Sequence, residues 1–213
     1  MKTKILKINP RNPQVQVIQQ AVLILKQGGT VILPTDTVYG LTVVATNKKA
    51  IEKIYKIKGR KKNLPLPIFC FSVSQVKKIV EDIKPSAKKL IKFFWPGKLT
   101  LVFSCQSAKF IRLAYKDKIG IRISKSPTIN RILKKLKQPI IGTSANLSGK
   151  GEITSSKEIM KLFKHKVDLI LDGGNLSQAL PSTVIDVSSD KPKIIRNGAI
   201  SPEKIKRVLK SKL

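Results

Sequence analysis

The stretch TVILPTDTVYGLTVVA, residues 30–45, holds two apolar runs, TVILP and GLTVVA, separated by the polar TDTVYG. Each run is too short for a typical helix and rich in β-branched residues, so each reads as a buried strand. Before it, Val15, Ile18, Val22 and Leu25 recur at helical spacing, and Gly28-Gly29 ends the pattern. Asn12-Pro13 supplies the expected cap of that helix, with proline at its first position. After it, KKAIEKIYKIKGR (48–60) reads as a helix that stops near Gly59. Strands bracketed by helices on both sides define an α/β protein.

The same alternation continues outward. TKILKIN (3–9), LPIFCF (66–71), LTLVFS (99–104), IGIRIS (119–124), PIIGTS (139–144), VDLILDGG (167–174), STVIDVS (182–188) and PKIIRNG (192–198) read as strands or strand-turns. Ser86–Phe94 reads as a helix with Ala87, Leu90, Ile91 and Phe94 on one face, broken by Trp95-Pro96-Gly97. Ser126-Pro127 opens another, carrying Ile129, Ile132, Leu133 and Leu136 inward, and SPEKIKRVLK (201–210) is a capped terminal helix. Ser155 and Glu158 form a capping box for a helix running to about Lys164. The short late strands call for a mixed sheet. One twisted mixed sheet flanked by helices, in a single domain over 1–213, is the expected fold.

Composition narrows the class. No run approaches the roughly 18 apolar residues of a membrane span. The start, MKTKILKINPRNP, lacks the apolar core of a signal peptide. Cys70 and Cys105 form no CxxC, and one histidine cannot build a zinc site, so a reducing cytoplasm is the expected location. The formal charge of +31 fits a phosphate-rich partner. However, seven of the 43 cations are arginine, leaving 43 − 7 = 36 lysines, and a coding bias on solvated faces gives the same pattern. Charge alone does not name the partner.

Several stretches offer chemistry, each with a plainer reading beside it. Thr35, Asp36 and Thr37 lie where a strand emerges, a common ligand position in α/β sheets, or they form a self-capping turn. Lys58 and Arg60 grip an anion, or complement a helix dipole. Arg122, inside an apolar strand, faces solvent or meets an anion. GTSANLSG (142–149) clusters Thr143, Ser144 and Asn146 between glycines, as a turn or as a cradle for a polar ligand. Ser182, Thr183 and Arg196 stand at later strand ends. His165 reads as a surface residue, and Asp168 and Asp172 are weak candidates for Mg²⁺. The sequence contains no GxxxxGK[ST], GxGxxG, HExxH or GxSxG.

In order, PTDTVYGL, KGR, PLPIF, WPGKLT, GIRI, TSANLSG, PSTVID and IIRNG resemble the YrdC-type threonylcarbamoyl-AMP synthases, from about Gly29 to Gly198. The length resembles the short, single-domain form. The resemblance implies a YrdC-like fold with a concave basic cavity. It also implies an enzyme that condenses L-threonine, bicarbonate and ATP into threonylcarbamoyl-AMP and releases pyrophosphate. Mg²⁺ would come with ATP. The product would serve a downstream transferase complex that modifies the adenosine next to the anticodon of tRNA.

Roles then follow by resemblance. Thr37 is a threonine-pocket hydroxyl, Lys58 and Arg60 hold ATP phosphates and act in catalysis, and Arg122 pairs with a carboxylate. Thr143, Ser144 and Asn146 line the shared pocket with Ser182 beside them, and Arg196 contacts the nucleotide. Two positions depart from the family pattern: Leu64, with Asn63 beside it, replaces a polar residue before the PL, and Phe69 stands where some relatives have histidine. The alternatives are a double-stranded RNA or tRNA binding module without catalysis, and a carbamoyl-transfer unit of the hydrogenase-maturation kind. The lack of CxxC pairs weighs against the latter.

Overall fold

The computed structural model describes residues 2–62, 64–177 and 180–211; Asn63 lies outside them. The first half runs β1 (Lys4–Lys7), α1 (Val15–Lys26), β2 (Val31–Pro34), β3 (Tyr39–Thr42), α2 (Lys48–Lys58), β4 (Ile68–Phe69), α3 (Val73–Lys77), α4 (Pro85–Phe94) and β5 (Leu99–Ser104). The second half runs β6 (Lys118–Arg122), α5 (Pro127–Leu136), β7 (Ile140–Ile141), β8 (Thr143–Ser144), α6 (Ser156–Phe163), β9 (Leu169–Asp172), β10 (Thr183–Asp186), β11 (Lys193–Arg196) and α7 (Pro202–Lys210).

The mixed α/β character is as expected, but the strands divide between two sheets. One has the order β1-β9-β2-β3-β8 and the other β11-β10-β5-β6-β4-β7. Each mixes parallel and antiparallel pairs. The split runs through PIIGTS, which is not one strand. Ile140 and Ile141 pair with β4, while Thr143 and Ser144 pair with β3. Gly142 makes the step. Its N–H donates to Pro67 O at 2.8 Å, and a Cβ there would lie 2.6 Å from the Phe69 ring.

Strand alternation then sorts the faces. Val31, Leu33, Leu169 and Leu171 meet Ile18, Leu25, Ile129 and Leu133, so α1 and α5 cover one face of the five-stranded sheet. Leu99, Leu101, Phe103, Ile119 and Ile121 sit in the larger core with α4, α6 and α7. Each fully buried Leu or Ile there contributes about 1.5–3 kcal/mol. The alternate residues of β5, β6 and β10 are left facing the other way, toward a cavity.

The start of the first helix differs from expectation. The N-cap is Gln14, and Asn12-Pro13 lie outside the helix. Asn9 Oδ1 instead accepts from the N–H groups of Arg11 and Asn12, folding that stretch into a turn. Val15, on the first turn, is exposed. The short α3, capped by Ser72, was not expected from the pattern. No helix among the described residues is long and apolar enough to cross a membrane.

Candidate active site

A cavity of about 740 Å³ opens on the outward face of the six-stranded sheet. Strand β6 contributes Lys118, Gly120 and Arg122, at alternate positions. The four residue steps from Lys118 to Arg122 make this floor about 13 Å long. Thr100 and Val102 from β5, and Ser182, Val184 and Asp186 around β10, complete it. The five-stranded sheet supplies the facing wall with Thr35, Thr37, Thr143 and Ser144. The nine residues given roles by resemblance line this one cavity: Thr37, Lys58, Arg60, Arg122, Thr143, Ser144, Asn146, Ser182 and Arg196; of the other candidates Thr35 joins them, while Asp36 and Thr183 do not. Six cations (Lys58, Arg60, Lys116, Lys118, Arg122, Arg196) face two carboxylates, Glu152 and Asp186.

At one end lies Arg122, only 5% exposed. Its Nε donates to Gly97 O at 2.8 Å and Nη1 donates to Thr37 Oγ1 at 3.2 Å. Its Nη2 sits 2.8 Å from Asp36 Oδ1 as an ion pair that falls outside hydrogen-bond geometry. The guanidinium also lies over the Phe69 ring, 5.6 Å from its centre. Burial lowers its pKa from the usual value, and Asp36 opposes that shift. The expected carboxylate partner of Arg122 therefore already includes one from the chain itself.

Lys58 is the last residue of α2. Asn47 caps the start of that helix, and Gly59, at φ 59°, ends it in the left-handed conformation glycine favours. The side chain is thereby turned inward and is 2% exposed. Its Nζ donates to Ser144 O at 2.5 Å, Asn146 O at 2.8 Å and Asn146 Oδ1 at 2.8 Å. All three ammonium donors are used on the TSAN loop, so in this structure Lys58 holds the loop, and a phosphate would have to displace one of those oxygens. Burial, reinforced by Arg60, lowers its pKa to about 8, with Glu152 opposing.

Asn146 is spent in the same way. Its Oδ1 also accepts from Ser144 Oγ at 2.9 Å, and its Nδ2 donates to Lys150 O at 2.6 Å and Gly151 O at 3.2 Å. The turn reading of GTSANLSG is realised in these bonds, and the stretch also borders the cavity. Asn146 closes the turn on itself, while Thr143 and Ser144 line the cavity.

Arg60 donates through Nη2 to Pro65 O at 3.0 Å, and its buried Nε has no hydrogen-bond partner among the described residues. Arg196 grips Ser182, Nη2 reaching its carbonyl at 2.9 Å and its hydroxyl at 3.2 Å. Ser182 Oγ lies 2.8 Å from Thr100 Oγ1. Burial lowers the pKa of both arginines.

Sequence reasoning left Asp36 between a ligand position and a self-capping turn, and gave no site role to Tyr115, Lys116, Lys118, Glu152 and Asp186. Only strand alternation counted back from Arg122 could have found Lys118. Lys118 pairs with Asp186 at 2.8 Å across β5. Asp168 accepts from Thr30 N and Oγ1, Asp172 caps Gly174 N, and neither lines the cavity. His165 is exposed, as expected. Leu64 is exposed and outside the cavity lining, whereas Phe69 lines it beneath Arg122.

The fold is shared with known proteins. The Sua5/YciO/YrdC family, described as "Telomere recombination", matches residues 23–198. The chain belongs to that family. It is 34% identical over 204 residues to a Bacillus subtilis threonylcarbamoyl-AMP synthase, covering 95% of this chain but 58% of that protein. It is 34% identical over 197 residues to the uncharacterized protein YciO of Escherichia coli, covering 90% and 93%. A crystal structure of Pyrococcus abyssi Sua5 complexed with L-threonine superposes with a TM-score of 0.92 at 31% identity, covering 98% of this chain and 61% of that one.

Proposed function

We propose that this chain condenses L-threonine, bicarbonate and ATP into threonylcarbamoyl-AMP and pyrophosphate, for threonylcarbamoyl modification of tRNA beside the anticodon. The observation that carries the proposal is convergence: residues from motifs scattered between Thr37 and Arg196 line one trough. The L-threonine complex of the Pyrococcus relative supports an amino-acid substrate.

The threonine amine attacks the carbon of CO₂ and yields a proton to solvent, or attacks bicarbonate, where that proton leaves within the water that is lost. A carbamate oxygen then attacks the α-phosphorus and pyrophosphate leaves. No step needs a protein nucleophile. The chain contributes position and charge: Arg122 and Thr37 at the amino-acid end, Thr143 and Ser144 along the wall, and Arg60 and Arg196 against phosphate charge. The buried Arg60 Nε lacks a hydrogen-bond partner among the described residues, an unmet donor beside the proposed phosphate site.

Among the described residues no three His, Cys, Asp or Glu side chains group to hold a resident metal. Mg²⁺ arriving on ATP needs few protein ligands, since phosphates and water fill most of its shell. Asp186 is tied to Lys118 and Ser188, so the exposed Glu152 is the cavity carboxylate suited to it. There Mg²⁺ would neutralise charge on the departing pyrophosphate.

A role limited to binding RNA leaves the buried hydroxyls and the Asp36–Arg122 pair without use. Pyrophosphate release from ATP and Mg²⁺ tests the proposal: it is expected to require both L-threonine and bicarbonate, with serine a poor substitute. Release under no combination removes it, and salt-sensitive RNA binding without turnover would favour the binding module.

A further inference from the structure

We propose that Asp36 is a positioning residue of the amino-acid end of the cavity: it fixes the Arg122 guanidinium and balances its charge, so that this end takes a zwitterion in preference to a free anion. The inference rests on the threonine-dependent function proposed above and adds to it the residue that sets the charge of the subsite.

Asp36 is firmly held. Its Oδ1 accepts from Ser124 Oγ in a short hydrogen bond, and its Oδ2 accepts from Lys125 N at 3.3 Å. Its side chain is 13% exposed and that of Arg122 is 6% exposed. Two charges this deep are worth burying only when they compensate each other.

Arg122 has five N–H donors in a planar fork. Nε is used on Gly97 and one Nη1 donor on Thr37. The Nη2 group lies 2.8 Å from Asp36 Oδ1, which takes at most one of its two hydrogens. Donors therefore remain on both Nη1 and Nη2, which is the pair a carboxylate needs for two-point binding.

Thr37 reads the opposite polarity. Thr35 Oγ1 donates to Val38 O at 2.7 Å and accepts from Thr37 N at 3.0 Å, so its own hydrogen is committed. In the 3.0 Å contact between the two hydroxyls, Thr37 must then be the donor. Thr37 Oγ1 accepts from Arg122 and keeps one lone pair, which suits an N–H of a substrate amine. Donors and an acceptor side by side, with net charge near zero, match an amino acid carrying both carboxylate and amine.

Removing the Asp36 charge leaves a buried guanidinium uncompensated, with Arg196 adding to the positive potential. Small anions should then compete for it. The experiment measures pyrophosphate release against L-threonine at saturating ATP and bicarbonate, with and without inorganic phosphate. Asp36→Asn is expected to raise KM for threonine roughly tenfold or more, the loss of one charged hydrogen-bonding partner, while KM for ATP is unchanged. Phosphate becomes competitive with threonine in the variant, and Asp36→Glu recovers part of the affinity. An unchanged threonine KM, an equal rise for ATP, or phosphate inhibition no stronger than in the parent overturns the inference.

Should Asp36→Asn not fold, Ser124→Ala keeps the charge but releases the carboxylate, and a roughly threefold rise in threonine KM is expected; no change overturns the inference. If the parent protein releases no pyrophosphate, the function falls separately. Calorimetric titration of L-threonine then decides: weaker binding by Asp36→Asn than by the parent sustains the role of Asp36, while equal binding, or none by the parent, overturns it.

Discussion

Two buried cations stand at two places in the same trough, and they are used in opposite ways. Lys58 meets only neutral oxygens, from Ser144 and Asn146, and spends every donor on them. Arg122 meets a carboxylate, Asp36, and keeps donors in reserve. At the loop the charged group is the glue and neutral hydroxyls face the cavity. At the strand ends a carboxylate is the glue and the charged group faces the cavity. The difference follows from side-chain chemistry, since an ammonium gathers converging carbonyls as a point charge whereas a planar fork can be held on one edge and used on another.

The largest effect is expected at Arg122. Arg122→Ala strips Asp36 of its counter-charge inside the protein. We expect a loss of about 3–5 kcal/mol in urea unfolding and a threonine response that no longer saturates; near-parent stability would mean that the pair is not compensated as described.

Next in size is Lys58→Met. It orphans three oxygens but removes the cost of burying an ammonium, so stability should stay within about 1–2 kcal/mol of the parent. Pyrophosphate release should fall roughly a hundredfold through the disordered loop. A rise confined to KM for ATP, with unaltered turnover, would make Lys58 a phosphate ligand and end the contrast.

The pH dependence sharpens it further. The folded pKa of Lys58, about 8, lies below its ordinary value, 10.5. The folded chain sheds this proton before the unfolded chain does, so the Lys58 contribution to stability rises between about pH 8 and 10.5 and is least favourable below pH 8. Activity runs the other way, because a neutral amine leaves one loop oxygen unserved. Parallel urea melts of the parent and Lys58→Met at pH 7 and 9.5 should show the parent gaining by a few kcal/mol at most, as its turnover declines. Arg60→Ala should have the smallest effect. It loses one bond to Pro65, so stability barely moves while KM for ATP rises roughly tenfold; an unchanged ATP response would take Arg60 out of the phosphate site.

Most of the fold was legible in the sequence because apolar period and punctuation agree. The Gly59 stop, the Ser155 cap and the inward faces of α4 and α5 each appear where the pattern puts them. What was not legible depends on contacts between distant residues. PIIGTS has the β-branched character of one strand, and only the Phe69 ring pressing on Gly142 shows that it changes sheets. Asn12-Pro13 has the right letters for a helix start, yet the Asn9 side chain claims that backbone for a turn. At the site, residue types were readable and their partners were not. Asp36 reads as a turn residue until β6 brings Arg122 against it, 86 positions later.

The step at Gly142 has a mechanical meaning. Beyond β3, Val43 O accepts from Ile141 N at 2.9 Å and Ala45 N donates to Pro139 O at 3.0 Å, so the two walls of the trough are stitched together at this corner. A widening of the trough that keeps these bonds would leave this corner fixed, and Phe69, Thr143 and the Arg122 that lies over Phe69 would keep their spacing. The stitched corner is thus the fixed reference from which the rest of the trough extends.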